Sequence, residues 1–107
     1  HEAAFARVDR ALEAASAGPE YVADAVATVS AARHELERRI DELPSLEADL
    51  AEARAEYITS QLARTVSAAL LLEQSADPHK ALVGMRFARR NLSPTAAWAA
   101  TPAKASW

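Results

Sequence analysis

Between Ile58 and Leu72 the chain reads ITSQLARTVSAALLL, and Arg64 is the sole charge in that stretch. A helix apolar on nearly every side cannot lie on a water surface, so it must be enclosed by other helices or by lipid. The run falls well short of the ~20 apolar residues a membrane span requires, which leaves a protein interior. The chain is therefore expected to wrap other helices around this rod. No membrane partner is expected.

The rest of the sequence supplies those helices. Only two glycines occur, and no segment alternates apolar and β-branched residues with polar ones, so a sheet is not expected. The first helix covers Glu2 to Ser16, with Phe5, Val8, Leu12 and Ala15 on one face, and Gly18-Pro19 ends it. A second runs from about Glu20 to Leu43. Val22, Val29, Leu36 and Leu43 fall seven apart, Val26 and Ile40 occupy alternate positions, and Pro44 closes it. Ser45 is read as the cap of a third helix reaching about Ser75. Asp77-Pro78 starts a fourth, in which Leu82, Met85, Ala88 and Leu92 make the expected buried stripe.

The expected fold is all-α, an up-down antiparallel bundle of about four helices over residues 1–92. Residues 93–107, SPTAAWAATPAKASW, read as a flexible or docking tail in which Trp98 and Trp107 are either anchors or loosely held. Hydrophobic residues make up 50 % of the chain but aromatic ones only 6 %, so alanine supplies much of the apolar content. Alanine favours helix yet buries little area. So thin a core implies packing against another domain or a second copy.

Cysteine is absent, which excludes disulfides and thiolate chemistry and fits a cytoplasmic protein. The chain opens at His1 and its single methionine is Met85, which predicts a portion of a longer protein. Charge is divided. Residues 1–76 hold 7 Lys+Arg against 14 Asp+Glu, and residues 77–107 hold 5 against 1, consistent with the net charge of −3.

Groups able to do chemistry are sparse. The three histidines are far apart, and His34 lacks the Glu three residues earlier that a di-iron helix needs. His34 and His79 are read as surface residues, and no metal site is expected. Glu73 follows three leucines. A desolvated carboxylate there suits acid–base work, although an ion pair with Lys80 or Arg86 is the favoured reading. Arg33 interrupts the apolar seam of the second helix. It either meets an anionic ligand or lays its stem on the core and pairs with a carboxylate at the rim. Lys80, Arg86, Arg89 and Arg90 make the last helix basic, suited to an acidic partner or nucleic acid, or else to balancing the acidic helices nearby. No Gly-rich phosphate loop and no Ser-His-Asp order exists. No catalytic residue is assigned.

LARTVSAALLLEQSADPHKALVGMRFARRNL, Leu62 to Leu92, resembles the C-terminal helical region of acyl-CoA-dehydrogenase-like flavoproteins, in particular the DNA-alkylation-response branch. The shared pattern is an Ala/Leu-rich helix ending in leucines, a short break, then a helix with an apolar-x-x-Arg-Phe-like core. The resemblance implies an accessory, non-catalytic domain that supports packing and oligomerisation, partnered by a flavin domain or a second copy. FAD and any oxidoreductase chemistry would belong to the parent protein. The chain lacks paired glycines after a Gln of the kind that meets the flavin pyrophosphate, and it lacks the substrate-abstracting carboxylate. No cofactor-binding residue is carried over. The competing reading is a stand-alone helical module that binds an acidic partner or nucleic acid through its basic last helix.

Overall fold

A computed structural model describes residues 1–92, and the tail 93–107, with Trp98 and Trp107, lies outside the described residues. Four α-helices account for most of the described chain, which contains no strand: α1 Glu2–Ser16, α2 Ala23–Glu42, α3 Ala48–Glu73 and α4 Pro78–Asn91. Short 3₁₀ turns, Glu20–Val22 and Leu43–Ser45, lead into and out of α2. Successive helices run antiparallel. Arg33 of α2 reaches back to Asp9 of α1, and Gly84 of α4 lies against Leu71 and Leu72 at the end of α3.

The apolar rod sits at the centre. The 26 residues of α3 make it about 39 Å long, and it packs on each of the other three helices while α1 and α4 hardly meet. Its inward side chains are Ile58, Gln61, Thr65, Ala68, Ala69 and Leu72. Thr65 is fully buried, and its hydroxyl donates to the Gln61 carbonyl at 2.8 Å, so its polarity is satisfied within the helix. Phe5, Val8, Ala11, Leu12 and Ala15 of α1 close one side. Leu70 is only half-buried. Too many apolar residues ring this helix for three neighbours to cover them all.

Boundaries differ from expectation at two turns. Ser45 does not cap α3: its hydroxyl donates to the Glu42 carbonyl at 2.7 Å, which holds the 3₁₀ turn around Pro44, and α3 begins after Glu47. Glu20–Val22 forms a separate turn because Pro19 holds the chain extended just before it. The Asp77 cap is as read. Its Oδ1 accepts from the backbone N–H of His79 at 2.9 Å, with Pro78 at the first helical position.

The buried face of α4 is rotated from the expected stripe. Ala81, Gly84, Ala88 and Leu92 face inward, Met85 is half-buried, and Leu82 is 42 % exposed. Small residues win here because they let α4 approach α3 closely. A β-carbon on Gly84 would stand 3.0 Å from Leu72 Cδ2 and 3.1 Å from Leu71 Cβ. The larger side chains are displaced to the flanks.

At the other end of the molecule α2 and α3 continue beyond their neighbours as a two-helix arm. No residue from 37 to 57 is fully buried, although Ile40, Leu43, Leu46, Leu50 and Tyr57 are all half-buried there. No helix among the described residues is long and apolar enough to cross a membrane.

Candidate functional site

Three places carry the polar groups singled out in the sequence. The first is the face shared by α1 and α2. Arg33 donates from Nε to Asp9 Oδ1 at 3.0 Å and from Nη1 to Glu37 Oε1 at 2.6 Å. Its guanidinium lies 4.7 Å from the Phe5 ring centroid, and its side chain is only 14 % exposed. The apolar stem covers the core while two carboxylates hold the head. Burial works against the charge, and the hydrogen bonds that Arg33 donates to Asp9 and Glu37 outweigh it, leaving the Arg33 pKa raised. All three interactions use the cation inside the molecule.

The second is the end of α3. Glu73 does not pair with Lys80 or Arg86 of α4. It accepts a two-pronged bond from Arg7 of α1, at 2.6 Å and 3.0 Å. The Arg7 hydrogen bond, with the charges of Arg7 and Arg10, holds the Glu73 carboxyl below its ordinary range. A carboxylate so stabilised is poorly suited to hold a proton near neutrality. Lys80 instead donates from Nζ to Gln74 Oε1.

The third is α4 with the groove beside it. Arg86, Arg89 and Arg90 are exposed and make no ion pair among the described residues. Arg7, Arg33, Arg38 and Arg39 of α1 and α2 do, whereas Arg10 of α1 and Arg54 and Arg64 of α3, like the α4 arginines, make none among the described residues. Between α2 and α4 lies an open groove of about 710 Å³. Tyr21 and Leu82 stand at its edge, Ala25, Met85 and Leu92 line its apolar part, and Arg86 and Arg89 flank it. Tyr21, at 56 %, is the most exposed large apolar side chain described. Sequence periodicity missed this groove because it placed Leu82 inward.

The remaining charges make helix surface. Glu35 accepts from both Arg38 and Arg39, at 2.7 Å and 2.6 Å. Partial burial would raise its pKa, and these two arginines reverse that to a net lowering. Glu37 joins Arg33 and not Arg38, and Arg54 has no ion pair with Glu52 or Glu56 among those described. His34 is exposed with Nδ1 2.8 Å from the Ser30 carbonyl, and His79 is exposed at the start of α4. No group of three or more His, Asp or Glu among the described residues is placed to hold a metal ion.

The end of α3 and the whole of α4 carry the Leu62–Leu92 segment on which the resemblance rests. The sequence-family model described as acyl-CoA dehydrogenase 11 C-terminal domain-like matches residues 2–101. The chain belongs to that family. The match takes in α1 and α2 as well as the Leu62–Leu92 segment, so the whole bundle is the family's unit. No curated protein and no solved structure gives a match.

Proposed function

We propose that the chain is an accessory C-terminal domain of an acyl-CoA-dehydrogenase-like flavoprotein, non-catalytic itself, which packs against the flavin-bearing body and supports its oligomerisation. The observation that carries this reading is the family match across nearly the whole chain. The two-helix arm supports it. Leu46 and Leu50 are half-buried, as are Ile40, Leu43 and Tyr57, which pack against the small cluster of Phe5, Leu36 and Ile58, and all gain stability from any surface that covers them. Leu72 is wholly interior, and Leu70, Leu82 and Met85 lie at the flanks of the bundle, so the arm is the stronger docking face. FAD and substrate would be held by the flavin-bearing body, in the cytoplasm.

The test uses the longer protein that carries this chain, with and without the paired changes Leu46→Glu and Leu50→Glu. The expected result is a flavin-coloured protein whose assembly size and melting temperature both fall in the variant, while the isolated chain keeps its helical circular dichroism. A colourless longer protein, or a coloured one indifferent to the substitutions, would contradict the reading.

A second reading is favoured by Arg86, Arg89 and Arg90, which make no ion pair among the described residues: an anionic partner, acidic protein or nucleic acid, on the outer face of α4. Such binding should weaken steeply with salt and be lost in Arg86→Ala/Arg90→Ala. Absence of binding at low salt removes it.

A further inference from the structure

One arginine on the arm lacks an acceptor. Arg54 of α3 is half-buried, and its Nε is the only buried side-chain nitrogen or oxygen without a hydrogen bond among the described residues. Leaving an N–H of a cation buried and unmet is costly, so the group favours any acceptor brought to it. We propose that Arg54 is the polar anchor of the arm and receives a carboxylate, an Asp or Glu set among apolar side chains, from the flavin-bearing body. The inference rests on the flavoprotein reading above and states what the docking surface must present.

Helical spacing explains why α3 cannot supply that acceptor. The positions one turn from Arg54 are Leu50, Ala51, Tyr57 and Ile58, none of them a carboxylate. Glu52 and Glu56 stand two residues away, project from another side of the helix and are exposed. On α2, Glu35 and Glu42 are already held by Arg38 and Arg39. The other arginines without an ion pair, Arg10, Arg64, Arg86, Arg89 and Arg90, are exposed and can be hydrated. The surroundings of Arg54 select the class of partner. Leu50, Arg54 and Tyr57 recur at helical spacing, with Leu46 one turn before, so the cation shares a face with half-buried apolar groups. A free anion would meet the charge and leave that face wet, whereas a protein segment with a carboxylate between apolar side chains covers both. The fork of Nε and one Nη takes both oxygens of a carboxylate, as Arg33 does with Asp9 at 3.0 Å and 3.1 Å. Bringing Nε to an incoming carboxylate takes a rotation of the flexible Arg54 stem, an ordinary adjustment on docking.

The test measures hydrogen exchange over residues 46–57 in the longer protein that carries this chain, and the melting temperature of the 107-residue chain alone. Arg54→Met keeps the apolar stem and removes the cation. In the longer protein it should speed exchange of the arm about tenfold or more, since the docked carboxylate loses its charged hydrogen bonds. In the chain alone the same change should leave the melting temperature level or raise it, because an unmet buried N–H gives way to an apolar group. A melting temperature of the chain alone that falls with Arg54→Met overturns the proposal, since Arg54 would then serve the fold itself. So does arm protection untouched by Arg54→Met yet lost in Leu46→Glu/Leu50→Glu, a result that leaves the flavoprotein reading standing. An arm that exchanges equally fast in both proteins, indifferent to every substitution, overturns that reading as well.

Discussion

Gly84 shows how one missing side chain places a helix. A β-carbon at this position would crowd both Leu72 Cδ2 and Leu71 Cβ, and the second of these is tied to the α3 backbone and cannot swing aside. Alanine ordinarily improves a helix over glycine by about 1 kcal/mol. Overpacking of a closely fitted interface costs about 1–3 kcal/mol. Gly84→Ala is therefore expected to lower stability, read as a reduced urea midpoint, and an increase would show that α4 is not seated closely on α3. The ion pairs give a pH prediction. Glu73 and Glu35 both titrate below the ordinary 4.5, through the Arg7 bond for Glu73 and through Arg38 and Arg39 overcoming burial for Glu35. The unfolded chain then takes up protons first as acid is added. The pairs contribute fully above pH 4.5, and their contribution is lost as pH falls from there through the lower folded values. Glu73→Gln should lower the melting temperature at pH 7 and shrink its acid-side decline. An acid decline unchanged in Glu73→Gln would show that the Arg7 bond contributes nothing.

The elements were readable in the sequence to differing degrees, and the differences have causes. All four helices follow from apolar spacing, and the Asp77-Pro78 start of α4 follows from its cap chemistry, which depends on adjacent residues alone. Asp77→Ala should cost about 1 kcal/mol, and hydrogen exchange should quicken first in the opening turn of α4. Equal quickening across all four helices would show that α4 does not open as a separate unit. Ser45 misled because a serine after proline serves equally as a helix cap or as a turn residue, and here its hydroxyl turns back to Glu42. The inward face of α4 was misread for a tertiary reason. Hydrophobicity ranks Leu82 above Ala81 and Gly84, but the width of the gap at α3 ranks them the other way. Glu73 found Arg7 and not a neighbour in sequence because α1 lies alongside the end of α3, a contact that no local pattern encodes. The groove followed from the same rotation of α4, so it was not legible either.

At the scale of the whole molecule, α3 carries both the stability and the exposure of the fold. Its second half is enclosed by α1, α2 and α4, and Leu72 is fully buried. Leu72→Ala should cost about 2–5 kcal/mol in thermal or urea unfolding of the chain, and a cost below 1 kcal/mol would remove α3 from the centre of the core. Its first half continues with α2 into an arm that has no fully buried side chain between 37 and 57. A family unit built in this way is complete as a bundle at one end and incomplete at the other, and the proposed role depends on that asymmetry. The most direct measurement is hydrogen exchange of residues 37–57 in the isolated chain and in the longer protein that carries it. The account predicts rapid exchange of the arm alone and slow exchange once the flavin-bearing body is present, with little change in α1 and α4. Equal exchange of the arm in both proteins would contradict it.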